Sequence, residues 1–328
     1  MKDKIRLKSV VKILVFQVII IAITVPIFVF YGPFYNVKKH VVESSMTSLS
    51  HKYIAKFFLS QHEIEKLLNS NEIVIDEQKN LEEIARNIKN NSYDNLHIEK
   101  YEIKSERFIG YILKINSPKK IRVGYSSSHF KNGETTSKIA DRKKAVAAIN
   151  AGGFQYKKQN NAWISKGTNP IGIIISKSKI INPVQNEEEK NDTIAFTEEG
   201  VLLVGKYSLK ELTKKKTSEA VSFGPALVVN GKGTIIKGDG GWGIAPRTAI
   251  GQKKDGSVLF LVIDGRQTNS YGATLKDIQN VMIKFGAYSG ANLDGGSSST
   301  MFYKGKTINN PSSPLGERTV PSIIYVEN

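Results

Sequence analysis

The sequence predicts an α+β chain: one domain built on a mixed β-sheet with few helices, preceded by an N-terminal transmembrane helix and a helical stalk. Three observations carry this. An apolar run of bilayer length, Ile13 to Tyr31, stands behind a basic N-terminus. A polar stretch of helical pattern follows it to about Asn95. From there on, short β-branched runs punctuated by Gly, Asn and Asp dominate, which is the pattern of strands and turns.

The N-terminus comes first. Lys2, Lys4, Arg6, Lys8 and Lys12 lead into the apolar run. Such a positive flank stays in the cytoplasm while the remainder crosses. Phe30-Tyr31-Gly32-Pro33-Phe34 offers no small-x-small cleavage site, so an uncleaved anchor is expected rather than a signal peptide. Residues 1–35 are then a cytoplasmic tail and anchor, 36–95 a stalk, and 96–328 the domain. The chain is expected to cross the cell membrane once, with its N-terminus cytoplasmic and its domain extracellular.

Within the stalk, His51 to Leu59, Ile64 to Leu68 and Leu81 to Ile88 have helical spacing, and Ser60-Gln61-His62-Glu63 fits a helix cap. The domain opens with Phe108 to Ile115, a strand expected to pair with Ile121 to Tyr125 across the turn Ser117-Pro118-Lys119-Lys120. Ala145 to Ile149 is a buried strand running into Asn150-Ala151-Gly152-Gly153-Phe154. Hairpins are expected about Lys177-Ser178 and about Glu198-Glu199-Gly200, and Ala226 to Val229 leads into a turn at Asn230-Gly231. Leu209 to Lys215 is a short helix, and Thr319 to Val326 the last strand.

The stretch from Val258 to Tyr303 organises the rest. Val258 to Ile263 is an apolar strand that stops at Asp264-Gly265-Arg266. Thr274 is placed as an N-cap with Asp277 three residues on, Leu275, Ile278, Met282 and Phe285 form one apolar helix face, and Gly286 closes it. Ala291-Asn292-Leu293 returns as a strand that ends in Asp294-Gly295-Gly296. Two strands thus end in Asp-Gly. If a helical crossover sets them side by side and parallel, Asp264 and Asp294 share one cleft.

Composition narrows the chemistry. The chain has no cysteine, which excludes disulfides, thiolate metal sites and a cysteine nucleophile. A net charge of +17 favours an anionic partner. No basic helix with base-reading side chains or stacking aromatics stands out, so nucleic acid is not expected. His40, His51, His62, His97 and His129 sit in no polar strand-end motif, which argues against a Ser-His-Asp triad or a histidine zinc site. What remains is carboxylate, arginine, amide and hydroxyl chemistry on glycine-rich loops. Asp264 and Asp294 are the catalytic candidates, since glycosidic hydrolysis wants two carboxyl groups. Arg247, Arg266 and Arg318 are candidate anion holders. Gly295, Gly296, Ser298 and Thr300 offer donors to a phosphate oxygen. Asn150 suits a sugar hydroxyl or a metal. No cofactor is demanded, and a divalent cation on Asp239, Asp264 and Asp294 stays open.

At these residues the sequence resembles the phosphodiester glycosidase family. The matching pieces are Ala148 to Phe154, Ser222-Phe223-Gly224-Pro225-Ala226-Leu227, Pro246-Arg247-Thr248-Ala249-Ile250-Gly251, Val262 to Arg266, and Asn292 to Met301. They cover the chain from about Phe108 to its end. Ala151 and Ser297 stand where the family pattern has glycine. The resemblance implies a hydrolase that cuts a sugar-1-phosphodiester in a cell-surface glycan or exopolysaccharide. Two other readings remain open: a non-catalytic phosphoglycan-binding protein of export or assembly, and a metal-dependent phosphodiesterase. In each the partner is an anionic surface glycan or sugar phosphodiester, reached from a membrane anchor.

Overall fold

A computed structural model describes residues 2–47, 51–91, 95–127, 130–155, 157–159, 162–164 and 167–328. His129 lies outside these. The chain divides into two compact units, Met1–Ser70 and Asn71–Asn328.

The first unit is helical: Lys2–Tyr31, Tyr35–Thr47, Lys52–Phe58 and Gln61–Leu68. Val10–Tyr31, 22 residues, is the one stretch among those described that is long and apolar enough to span a bilayer. Ser60 and Glu63 close a reciprocal capping box on the fourth helix. That helix buries Ile64 and Leu67 with Phe30, Val42, Ala55 and Leu59 in a small core of the unit's own.

The second unit starts well before residue 96. The helix Leu81–Asn90 packs Ile84 and Ile88 against Val201 and Tyr288. Gln78 donates to the Leu202 carbonyl and Ser289, and accepts from the Val204 amide. Residues 71–91 therefore belong with the globular unit. Helical spacing in the sequence shows an apolar face but not what the face meets.

The unit is α+β. The strands that place the site are β1 (Ile98–Lys104), β2 (Ile109–Ile115), β3 (Ile121–Tyr125), β4 (Ala147–Asn150), β5 (Ala226–Val229) and β6 (Lys232–Gly233). They continue as β7 (Arg247–Lys253), β8 (Val258–Ile263), β9 (Ala287–Leu293), β10 (Met301–Tyr303), β11 (Lys306–Thr307) and β12 (Ser322–Val326). A seven-stranded sheet has the order β6-β5-β9-β7-β8-β2-β1, and a five-stranded one the order β11-β10-β4-β12-β3. A further five-stranded sheet spans residues 174–222. One face of the seven-stranded sheet contributes Leu113, Phe260, Val262, Ile250 and Leu293 to the main core, which it shares with Ile149 and Ile324 of the five-stranded sheet. The other face is covered by the helix Leu275–Lys284, which buries Leu275, Ile278 and Met282 completely. Each such side chain contributes about 1.5–3 kcal/mol. Thr274 and Asp277 form the expected cap, and Gly286 takes φ 82° just past the helix.

Two expected pairings change. Ile109–Ile115 pairs with β8 and β1, not with Ile121–Tyr125, which pairs with Ser322–Val326. Pro118 opens a 3-10 turn instead of a hairpin, and the chain passes to the other sheet. β1, with the sequence IEKYEIK and much of its side-chain surface exposed, is an edge strand whose charged residues hide it from an apolar-run reading. The crossover helix also does not set β8 and β9 side by side. β7 lies between them, antiparallel to both, so β8 and β9 run the same way one strand apart.

Candidate active site

Register brings the two Asp-Gly turns to one end of the sheet. Thr248 of β7 faces Val262 on one side and Leu293 on the other. Asp264 and Asp294 thus leave the sheet at nearly the same level, with backbones about two strand spacings, roughly 10 Å, apart. Pro246 and Arg247 fill the gap. Gly265 is pressed so close to Pro246 that a Cβ there would stand 2.7 Å from its nitrogen, and the Gly296 amide donates to the Pro246 carbonyl at 2.8 Å.

Asp264 is buried, and its carboxylate is gripped from the far loop. Asn309 Nδ2 donates to Oδ1 at 2.9 Å, and the Asn310 amide donates to Oδ1 at 3.0 Å and Oδ2 at 3.2 Å. Burial raises its pKa, and these two donors oppose the rise. The carboxylate also helps raise the pKa of the Tyr111 phenol, after burial.

Asp294 is half-buried. Burial raises its pKa to about 6, against the pull of Ser298, the Arg318 charge and the Gly295 amide. Its Oδ2 is buried with no hydrogen-bond partner of good geometry, as are the hydroxyls of Ser299 and Thr300 beside it. Orphaned polar atoms in one place leave donors and acceptors for water or a ligand. The two carboxyls sit in separate environments: Asp264 under the Asn309 and Asn310 donors, Asp294 beside Ser298, Gly295 and Arg318.

Asn150 does not face a ligand. It is fully buried, donates to the Asp294 carbonyl, and accepts from Thr248 Oγ1 at 2.7 Å and the Thr300 amide at 3.1 Å. It ties β4, β7 and the loop after β9 into one frame under Asp294. Arg247 is likewise turned inward. Its Nε donates to the Ala273 carbonyl at 3.0 Å, and Nη2 to the carbonyls of Trp242 at 3.0 Å and Gly243 at 2.6 Å. Burial lowers its pKa to about 10, so it stays charged at neutral pH.

The other two arginines flank the glycine-serine loop. Arg266 is exposed, at φ 60°, with Nη2 lying over Gly296. Arg318 is half-buried, donates to Ser297 Oγ at 3.0 Å and stacks on Phe154. Gly296 itself takes φ 62°. Ala151 and Ser297 do not take positive φ, so the two departures from glycine leave the loop backbone unstrained. Asp239 is elsewhere engaged, accepting the Gly241 amide, and among the described residues Asp264 and Asp294 form no three-ligand group with it.

A family model for phosphodiester glycosidase matches residues 143–327. The chain belongs to the phosphodiester glycosidase family. Every site residue, from Asn150 to Arg318, lies inside the matched region. SPbeta prophage-derived uncharacterized protein YomE of Bacillus subtilis is 30% identical over 210 residues, 60% of this chain. The chain spans about a third of that relative, 31% of its length. Among solved structures, the catalytic domain of zebrafish N-acetylglucosamine-1-phosphodiester alpha-N-acetylglucosaminidase, auto-inhibited by its pro-peptide, superposes with a TM-score of 0.57. The identity is 21%, over 71% of this chain and 83% of that one. A hypothetical protein from Synechocystis gives 0.55 at 16% identity, over 71% and 62%. These likenesses show a common fold.

The candidate site includes residues to which the sequence alone assigns no role. Asn309 and Asn310 lie in a polar loop between short strands and gain meaning only from where Asp264 falls. Asn292, 1% exposed, precedes Asp294 by two residues and donates to the Gly224 carbonyl at 2.9 Å. Trp242 and Phe223 meet edge to face at 6.1 Å.

Proposed function

We propose that this chain is a membrane-anchored, extracytoplasmic hydrolase that cuts a sugar-1-phosphodiester in a cell-surface glycan, at the C1–O bond. The observation that carries the reading is the pair of carboxyls at one sheet end, each with a raised pKa and each in its own environment. Such separation of environments is how two like groups take different roles. Water attacks C1 and gives its proton to the Asp294 carboxylate. Asp264, held by Asn309 and Asn310, keeps its charge and stabilises the positive character that develops on the sugar. The C1–O bond breaks, and the phosphomonoester leaves as an anion toward Arg266 and Arg318, needing little protonation. The helix Val10–Tyr31 and the basic residues before it support the anchor and its orientation.

The test is hydrolysis of sugar-1-phosphodiesters in oxygen-18 water by the full chain in detergent. Label in the released sugar is expected. Label in the phosphate would mean P–O cleavage and sink the glycosidase reading. Asp264→Asn and Asp294→Asn should each lower kcat by at least about a hundredfold.

A further inference from the structure

The two flanks of the candidate site differ chemically. On one side Arg266 and Arg318 bracket Gly296 and Ser297. On the other stands Arg247, whose Nε and Nη2 are engaged by three backbone carbonyls. What that side offers is aromatic. Trp242, half-buried, sits in a loop with Gly240, Gly241 and Gly243 all at positive φ. The loop is pinned at many points. Asn71 Oδ1 accepts from the Asp239 and Gly240 amides, Asp239 Oδ1 accepts from Gly241, and Arg247 holds the carbonyls of Trp242 and Gly243. The Arg247 guanidinium also lies 5.9 Å from the indole centre. So much backbone constraint around one partly exposed indole fixes where that ring stands.

Phe223, also half-buried, meets Trp242 edge to face at 81°. It lies against Gly153, where a Cβ would stand 3.0 Å from its ring. Gly153 stands two residues after Ala151, whose carbonyl accepts the Asp294 amide. The residue after Phe223, Gly224, is held by Asn292, whose Oδ1 is buried without a hydrogen-bond partner. Phe223 and Gly224 thus connect an aromatic corner to a buried amide oxygen in want of a donor, and the Ala151 carbonyl ties the neighbouring segment to the backbone of Asp294. A sugar ring offers the matching surfaces: an apolar C–H face for the aromatics and a rim of hydroxyl donors.

We infer that Trp242 and Phe223, with Asn292 beneath them, form the subsite for the glycosyl ring, so that the substrate lies with its sugar on the aromatic corner and its phosphate toward Arg266 and Arg318. This rests on the hydrolase reading and adds the binding direction. It makes the buried Arg247 a positioning residue for Trp242.

The chain has two tryptophans, Trp163 and Trp242, so the Trp163→Phe variant leaves Trp242 as its one indole. The experiment titrates this full-length variant, in a detergent without a sugar headgroup, with methyl glycosides of glucose, galactose and N-acetylglucosamine, their 1-phosphate methyl diesters, and inorganic phosphate. Indole emission and calorimetry are read together. A saturable emission change with at least one diester and none with inorganic phosphate is expected, and Trp242→Leu should weaken that diester at least tenfold. An equal change with inorganic phosphate would overturn the orientation. Calorimetric binding of a diester with silent emission, or with unchanged affinity in Trp242→Leu, would overturn the subsite and leave the hydrolase reading standing. No binding of any diester by calorimetry would take both down.

Discussion

Asn309 holds Asp264 and the loop that follows Asp294 with one amide group: its Nδ2 donates to Asp264 Oδ1 at 2.9 Å and to the Ser299 carbonyl at 3.1 Å. Its Oδ1 accepts the Met301 amide at 2.7 Å, so the side chain cannot turn without losing all three bonds. Asp264 and the loop behind Asp294 are thus linked through one asparagine.

The first prediction concerns that link. A hydrogen bond to a buried carboxylate contributes about 1.5–3 kcal/mol. Asn309→Ala removes it from the ionised form of Asp264 only. The Asp264 pKa, already raised by burial, should climb further. Carbon-13 carboxyl NMR across a pH titration reads this without any substrate. A titration of Asp264 that does not move would show that Asn309 serves the loop alone.

Asp294 gives a prediction about stability. Its folded pKa of about 6 lies above the ordinary 3.8. The folded state therefore holds the proton more tightly than the unfolded one. Stability from this group is complete below about pH 4 and is lost as pH rises through 6, by about 2–3 kcal/mol. Asp294→Asn escapes the loss. Near pH 8 the variant should unfold at higher denaturant than the parent, and near pH 4 the two should coincide. An equal or lower midpoint for the variant at pH 8 would contradict the burial of this carboxyl. The same variant is expected to be inactive, which places the lost stability in the service of the site.

Much of this was legible in the chain, and the limits follow from what a sequence encodes. The Thr274 cap, the Leu275–Ile278–Met282 face and the Gly286 stop are local, and local spacing suffices for them. The Asn230-Gly231 turn announces itself by residues that tolerate positive φ, whereas Lys177 and Ser178 adopt it without that preference. Asp264 and Asp294 stood out because each ends an apolar run. What failed was direction. Arg247 and Asn150 are in the site's motifs, yet both point into the fold, and whether an arginine faces solvent or three carbonyls depends on strands far off in sequence. Asn309 was invisible for the same reason: its partners lie 45 and 10 residues away. The pairing of Ile109–Ile115 was missed because a strand of the right length stood next to it, and proximity in sequence outweighed a partner 150 residues on.

Arg247 separates these two views of an arginine. A phosphate holder, when changed, raises KM and leaves the fold alone. The structure predicts the opposite. Arg247→Lys cannot reproduce a fork that meets three carbonyls, and leaves buried acceptors unpaired at about 1–3 kcal/mol each. The thermal midpoint should drop by about 5 °C or more. The Gly240–Gly243 loop should also become sensitive to protease. An unchanged midpoint with a raised KM would restore the phosphate-holding role.

Ser297 offers the last test, because it stands where the family pattern has glycine. Its backbone does not take positive φ, so glycine brings no relief of strain and adds only chain freedom in the unfolded state, costing under about 1 kcal/mol. Its hydroxyl, however, accepts from Arg318 Nη1, and Arg318 is the one charged side chain that pulls the Asp294 pKa down. In Ser297→Gly, Arg318 keeps its stacking on Phe154 but loses a tether. A looser cation stabilises the Asp294 carboxylate less, so the Asp294 pKa should rise slightly above 6. The acidic limb of the pH–rate profile should then move to higher pH, with KM for a phosphodiester raised severalfold and kcat at its plateau nearly unchanged. A profile that stays in place while KM rises would assign Arg318 to the phosphate alone. A fall in the plateau would mean that the serine hydroxyl takes part in the reaction itself.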